Sequence, residues 1–145
     1  IWEAIDVVNP VIVIIEYNCV FGAENAAIIP YDPAFNRALA HYSLLFWGAS
    51  LKSLCMLADK KGYSFVGCNS NGNNAYFVRK DKVGKIPVKT AKDGYVESKF
   101  RDSHDNKGKK NYLRGKERLE VMKDLQVFDL ETGQMVTIKN LFNLG

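Results

Sequence analysis

The chain has 145 residues, of which 47% are hydrophobic and 25% charged, and its formal net charge is +4. This length suits one domain, and the composition supports a core, so disorder of the whole chain is excluded. The charge is uneven, because residues 1–78 carry a net −2 and residues 79–145 carry +6. Charges of both signs alternate in the basic part, which is typical of a solvated surface.

Three cysteines, Cys19, Cys55 and Cys68, show no CxxC spacing. An odd number without such spacing argues against a disulfide framework and against structural zinc, and no metal site is predicted. We interpret them as reduced thiols of a cytoplasmic protein. No signal peptide or membrane-spanning segment is recognisable. Because the chain opens with Ile1 inside an apolar pattern, we expect it to continue a longer polypeptide.

The apolar run at Val11–Ile15 is the strongest signal near the start. Spacing of apolar residues over 1–8 predicts a helix, which Asn9-Pro10 ends. The β-branched run that follows predicts a strand buried on both faces, as in the middle of a parallel sheet. Ligands of open α/β sheets bind beyond the carboxyl ends of strands, which places Glu16, Tyr17 and Asn18 at a candidate site. The alternative is that Glu16 only caps a loop or pairs with a base.

The next stretch predicts an irregular loop and then a long helix. Pro30 and Pro33 hold Tyr31 and Asp32 in an extended or turn conformation, in a loop that is either functional or a plain connection. The pattern from 36 to 61 predicts the longest helix, which ends at a glycine cap at 62. His41 and Tyr42 stand at its entrance. His41 is either a structural hydrogen-bonding group or a pocket residue.

Two hairpins follow the helix. Strands at Tyr63–Cys68 and Ala75–Arg79 flank an Asn- and Gly-rich connection that includes Asn69 and Asn74. Residues 80–111 are polar and basic, which indicates a surface segment. A helix is predicted over 114–125, with Leu119 and Met122 facing inward. The segments 127–130 and 135–138 flank a Gly-containing turn that predicts the second hairpin.

Motifs of well-known site chemistry are absent from the sequence. It contains no GxGxxG, P-loop, HExxH or GxSxG pattern. The spacing gives no cysteine a paired histidine for nucleophilic catalysis. Aromatic residues beside basic ones occur without a recognisable nucleic-acid-binding module, so nucleic acid is not an expected partner. Residue chemistry alone therefore predicts an α/β domain with a polar pocket near Glu16.

Several longer segments resemble the carboxyl-terminal part of FkbM-like, S-adenosylmethionine-dependent methyltransferases, and in particular a bacterial group among them. The resemblance lies in VIVIIEYN, in IPYDPAF, in the stretch from HYSLLFWG to YFVRKD, and in the tail from VESKF to ETGQMV. It implies the C-terminal part of a Rossmann-like class I methyltransferase sheet over 1–83, ending in an antiparallel hairpin. A basic α+β tail over 84–145 would follow.

The resemblance also implies an activity, namely methyl transfer to a hydroxyl of a small molecule or saccharide. Either Glu16 or His41 could remove the hydroxyl proton. The glycine-rich loop for S-adenosylmethionine would lie upstream, so this chain alone should not bind the cofactor. The acceptor would contact the remaining residues of the predicted cleft: Tyr17, Asn18, Tyr31, Asp32, Tyr42, Asn69 and Asn74. The alternative is a non-catalytic binding or assembly domain derived from the same fold.

Overall fold

The computed structural model describes residues 1–100 and 102–145 and contains two small three-stranded sheets. Sheet A has the strand order β1-β4-β3, and sheet B has the order β2-β5-β6. The strands are β1 (Ile12–Glu16), β2 (Ala27–Ile28), β3 (Tyr63–Cys68), β4 (Asn74–Arg79), β5 (Gln126–Asp129) and β6 (Gln134–Thr137). All four strand pairings within these sheets are antiparallel. The predicted Rossmann-like parallel sheet is therefore wrong, and the fold is α+β.

The helices are short except for one. They are α1 (Arg37–Ala40), α2 (Leu51–Lys60), α3 (Ala91–Gly94), α4 (Glu117–Glu120) and α5 (Ile138–Leu141), with 3-10 turns at Trp2–Ala4 and Cys19–Phe21. The helix predicted over 36–61 is thus interrupted, because Leu44 and Gly48 have φ of 61° and 66° in the left-handed region. The helices predicted over 1–8 and 114–125 are also shorter than expected.

Helix α2 packs on one face of sheet A, as its amphipathic pattern predicts. Leu51, Leu54 and Ala58 are buried against strand residues that include Phe77. Gly62 has φ 80° and follows the end of the helix, because glycine adopts this left-handed backbone conformation most readily. This packing is the main support of the first half of the chain.

Strand β1 lies at the edge of sheet A rather than in its middle. Ile12 and Ile14 are 56% and 58% exposed, whereas Val13 and Ile15 are partly buried against the core beneath α2. The prediction that β1 is buried on both faces is therefore wrong. The aliphatic run indicated two covered faces, but only the face toward α2 is covered.

Both predicted hairpins are confirmed. Strands β3 and β4 pair antiparallel, and β4 also pairs with β1, so the three segments share one sheet as expected. Strands β5 and β6 pair antiparallel around a turn in which Gly133 has φ 70°. Leu119 and Met122 point inward, with exposures of 8% and 0%.

Sheet B joins the two parts of the chain that the sequence divides at residue 83. Its strand β2 pairs with β5, with Ala27 opposite Asp129 and Ile28 opposite Phe128. The core beneath it is built from both parts: Phe21, Ala27, Ile29, Leu45, Leu119, Met122, Val127, Ile138 and Leu144. Segments 1–83 and 84–145 therefore share one sheet and one core.

The first turn of α2 connects sheet B to sheet A. The Ser50 Oγ atom accepts hydrogen bonds from the amides of Ser53 and Ala27, both at 3.2 Å. The amide of Ser50 and the Oγ of Ser53 donate to the Ala27 carbonyl at 2.8 and 3.1 Å. One serine therefore caps α2 and fixes β2.

None of the helices formed by the described residues has the length and apolar character that crossing a bilayer requires.

Candidate functional site

The polar end of β1 brings several predicted residues together, because it lies beside the start of the antiparallel strand β4. Glu16 lies opposite Asn74 in the strand register, and the amide of Tyr17 donates to the Asn73 carbonyl at 3.0 Å. The Glu16 carboxylate is exposed. It is therefore free to meet a ligand, in contrast to the two residues that follow it.

Tyr17 is a structural residue. It is 1% exposed, and its hydroxyl donates to the carbonyl of Val96 at 2.7 Å. Burial is the largest cause that raises the pKa of Tyr17 above its usual value, so the phenol stays protonated. Tyr17 thus fixes the segment around residue 96 and does not reach a surface ligand.

Asn18 is fully buried and holds the segment 41–47 against the end of β1. Its Nδ2 donates to the carbonyls of Leu45 and Trp47 at 2.8 and 2.9 Å. Its Oδ1 accepts from the amide of Val20 at 3.0 Å. Backbone groups therefore use both Nδ2 and Oδ1 of the Asn18 side chain. Asn18 contributes to a site by positioning the neighbouring segment.

Arg37 belongs to α1, which precedes the segment that Asn18 holds, and its side chain contacts that segment. Its Nε donates to the Leu44 carbonyl at 2.6 Å, and its guanidinium carbon lies 4.9 Å from the centre of the Trp47 ring. That distance is typical of a cation–π contact. Burial of the guanidinium lowers the pKa of Arg37, whereas the nearby Glu16 and Cys19 oppose this shift. A carboxylate, a cation and an indole are thus neighbours.

His41 and Tyr42 come shortly before Leu44, whose carbonyl accepts the Arg37 hydrogen bond. Their rings are 4.1 Å apart at their centres, and Nδ1 of His41 lies 2.7 Å from the Oγ of Ser43. Burial lowers the pKa of His41, so the imidazole is neutral at pH 7. Its Nδ1 also accepts the amide of Ser43 at 3.3 Å. We define Glu16, Arg37, His41, Tyr42 and Trp47 as the Glu16 surface.

Four predicted residues have other roles or lie elsewhere. Asn69 accepts the amides of Asn73 and Asn74 at 3.1 Å, which fixes the turn of the β3–β4 hairpin. Tyr31 is 86% exposed, and the Asp32 carboxylate accepts the amide of Ala34 at 2.8 Å, which is a local turn. No contact among the described residues joins these two to the Glu16 surface.

Two open grooves lie outside the Glu16 surface. One of about 360 Å³ is lined by Asp32 and mainly apolar residues that include Phe35, Phe46 and Leu125. The other, of about 490 Å³, runs between α2 and α3 and is lined by Lys52, Cys55 and Lys92 among others. Of the predicted site residues, Asp32 alone lines one of these two grooves.

The sequence interpretation missed the pair Cys19 and Arg118. Cys19 directly follows Asn18, and Arg118, of which 7% is exposed, directs its Nη1 toward the Cys19 sulfur. The two residues are 99 positions apart, so no local pattern connects them. The sequence offers one signal for a buried Arg118, which is that this residue directly precedes Leu119, a residue predicted to face inward.

Metal ligands are not clustered, since no group of three or more His, Cys, Asp or Glu side chains suited to a metal occurs in 1–100 and 102–145.

Comparisons with protein-family models, with curated proteins and with solved structures found no significant match to this chain. The site is therefore interpreted from its own residues.

Proposed function

We propose that this chain supplies the acceptor side of an S-adenosylmethionine-dependent methyltransferase whose acceptor is a hydroxyl of a small molecule or saccharide. The observation that carries the proposal is the composition of the Glu16 surface. It combines an exposed carboxylate, a guanidinium and a neutral imidazole with two aromatic rings. Such a set can hydrogen-bond hydroxyls and pack against the apolar face of a sugar ring.

The proposal places the S-adenosylmethionine site outside this chain. Strand β1 is followed by a single 3-10 turn, Cys19–Phe21, which the Asn18 side chain caps. No glycine-rich loop leads from a strand into a helix N-terminus in 1–100 and 102–145, and such a loop is what receives a nucleotide-like group. Polypeptide outside this chain would therefore have to bind the methyl donor.

The role of this chain in such a reaction is to hold the acceptor and remove its proton. Glu16 and His41 are the two candidate bases, since one is an exposed carboxylate and the other a neutral imidazole. The aromatic rings and Arg37 would fix the acceptor relative to that base, which lowers the entropy cost of the reaction.

The direct test is NMR titration of the chain with mono- and disaccharides and with small phenols and alcohols. Shifts confined to the amides of the Glu16 surface and the Trp47 indole are expected, and the indole of Trp2, which packs in sheet A, serves as the internal control. Titration with S-adenosylmethionine alone should give no shifts. If no acceptor perturbs the Glu16 surface, the proposed acceptor role is wrong.

A second test uses a polypeptide that contains both this chain and a cofactor-binding part. There Glu16→Gln should lower turnover by about 100-fold if Glu16 is the base, and His41→Gln should do so if His41 is. Glu24→Gln changes another surface carboxylate that forms only an exposed ion pair, and it should keep full activity. Full activity in both Glu16→Gln and His41→Gln would exclude both candidate bases.

The alternative function, a non-catalytic assembly domain, is favoured by the bare face and free edge of β1. Ile12 and Ile14 are more than half exposed, and β1 pairs only with β4 among the described strands. An edge strand whose exposed face is mainly aliphatic can pair antiparallel with its own copy about a two-fold axis, so the partner under this alternative is a second copy of the chain.

Sedimentation velocity distinguishes this alternative. A concentration-dependent dimer that Ile14→Lys abolishes would support it. Ile86→Lys, at another exposed isoleucine (47%), should leave the dimer intact. A monomer at every concentration would exclude assembly through β1.

A further inference from the structure

Arg118 is a buried cation without a carboxylate partner. Only 7% of the residue is exposed, and its Nη2 donates to the Phe100 carbonyl at 2.8 Å. Its Nε has no hydrogen-bond partner within residues 1–100 and 102–145, and no described Asp or Glu lies within 4.0 Å of its guanidinium. A buried charge is costly unless an opposite charge compensates it. The site therefore has an unfilled requirement for an anion.

The group nearest to this requirement is the thiol of Cys19. Nη1 of Arg118 donates toward the Cys19 sulfur at 3.9 Å, and Cys19 is half-buried rather than closed off from solvent. The Tyr95 hydroxyl donates to the Cys19 carbonyl at 2.9 Å, which fixes the backbone beside the thiol. The Cys19 sulfur is therefore the side-chain atom that the Nη1 group of Arg118 faces.

The other charged and titratable groups around Cys19 favour the same assignment. Arg37 is a second cation close enough for Cys19 to affect its pKa. Burial raises the pKa of Tyr95 to about 12 and also raises that of Tyr17, so both phenols remain neutral. Glu97 is exposed and contributes to the raised pKa of Tyr95, but no ion pair joins it to Arg118 among the described residues. Arg118 and Arg37 are thus the two cations near Cys19, and the Glu16 carboxylate also acts on Arg37.

The remaining cysteines differ from Cys19 in this respect. Burial raises the pKa of Cys55 to about 12, and burial is also the largest cause that raises the pKa of Cys68. Both thiols therefore stay protonated at neutral pH, and a protonated thiol is a poor nucleophile.

We propose that Cys19 and Arg118 form a thiol-modification site that reacts with hydrogen peroxide and small soft electrophiles. In the reaction with peroxide, the Cys19 thiolate sulfur attacks one oxygen, the O–O bond breaks and hydroxide leaves. Sulfur is oxidised by two electrons to the sulfenic acid, and the peroxide is reduced. Arg118 is a positioning residue that holds the thiolate through Nη1. This site is independent of the proposed methyl transfer.

The experiment measures alkylation of the folded 145-residue chain by iodoacetamide at pH 7, with each cysteine followed by peptide mass spectrometry. Cys19 should react about 10-fold faster than Cys55 and Cys68 or more, and Arg118→Met should slow Cys19 by about 10-fold. Arg114→Met, at an exposed arginine of the same region, should leave the rate unchanged. Equal rates for the three cysteines, or a Cys19 rate that Arg118→Met does not change, would overturn the proposal.

Unfolding of the Arg118→Met variant would appear as faster labelling of Cys55 and Cys68. A second measurement therefore uses the unchanged protein. At pH 6.5 its Cys19 should react faster than the cysteine of a synthetic peptide spanning 16–22, because the peptide lacks the guanidinium. Labelling slower than or equal to that of the peptide would contradict the role of Arg118. Dimedone capture after hydrogen peroxide treatment should mark Cys19, and capture only at Cys55 or Cys68 would also overturn it.

Discussion

Sheet A and sheet B each contain three antiparallel strands, but they are assembled over very different distances along the chain. In sheet A the central hairpin joins β3 and β4 through a short turn. In sheet B the two-residue β2 pairs with β5, about a hundred positions later. Local turn chemistry therefore accounts for one hairpin in each sheet, β3–β4 and β5–β6, whereas the third strand of each sheet depends on tertiary packing. In sheet A that strand is β1, which pairs with β4 over five residues, and in sheet B it is β2, which pairs with β5 over two. The first turn of α2 connects the two sheets, because Ser50 and Ser53 bind the backbone of Ala27.

The largest expected effect comes from emptying either core. Phe77 beneath α2 and Met122 beneath sheet B are both 0% exposed. Phe77→Ala should cost about 3–5 kcal/mol of unfolding free energy, and Met122→Ala about 2–5 kcal/mol. Urea denaturation followed by circular dichroism should show one shifted transition for each variant. Two separate transitions, with one sheet melting alone, would show that the sheets are independent.

Replacing the buried amide at the end of β1 should have the next largest effect. Asn18→Leu leaves the carbonyls of Leu45 and Trp47 without their donor, at a cost of about 2–4 kcal/mol. The same denaturation experiment measures it. Asn140→Leu, at an exposed position, is the matched control and should change stability by less than about 0.5 kcal/mol. Equal effects of the two substitutions would contradict the positioning role of Asn18.

The link between the sheets can be weakened with a smaller change. Ser50→Ala removes the cap of α2 and the acceptor for the Ala27 amide, and it should cost about 1–2 kcal/mol. Ser64→Ala, in β3 and only half-buried, should cost less than about 0.5 kcal/mol. The measurement compares the urea midpoints of the two variants. An unchanged midpoint for Ser50→Ala would show that Ser50 does not link the two sheets.

The dependence of stability on pH reports on His41. Burial lowers the pKa of its imidazole in the folded state, so the unfolded chain binds the proton at a higher pH. The resulting stability is fully present above the ordinary pKa of about 6.5 and is lost as the pH falls through the lower folded value. His41→Gln should flatten the stability profile just below about pH 6.5. Parallel profiles for the two proteins would show that His41 is not perturbed.

The smallest expected effect concerns the exposed face of β1. Ile14→Thr should change the unfolding free energy by less than about 0.5 kcal/mol, because Ile14 is 58% exposed. Val13→Thr, one position earlier and packed toward α2, should cost more than about 1 kcal/mol. A larger cost at Ile14 than at Val13 would mean that the face assignments are reversed.

The parts of the fold that the sequence predicts correctly have local causes. The hairpin around 69–74 follows from its Asn- and Gly-rich turn, and α2 follows from its amphipathic spacing and Gly62. The burial of β1 was predicted wrongly because an aliphatic run reports hydrophobicity without reporting whether a second layer covers it. Strand β2 has two residues and no period of its own, so no pattern could indicate it.

The candidate site shows the same limit. Glu16 and His41 were identified by residue type, and both contribute to an accessible or half-buried surface. Tyr17 and Asn18 were identified by the same reasoning, yet both are buried and bound to backbone groups. The pairing of Cys19 with Arg118 is a contact between distant segments, so it is visible only in three dimensions.

The central claim is that sheet A and sheet B, which the first turn of α2 connects, unfold as one unit. Amide hydrogen exchange of the native chain, resolved by residue, tests this directly. The amides of Leu130 and Ser50, which bond to Ala26 and Ala27, should exchange only by global unfolding, with the same free energy as the amides of the β3–β4 hairpin. Exchange of the sheet B amides by a separate, lower-energy opening while sheet A stays protected would contradict the account.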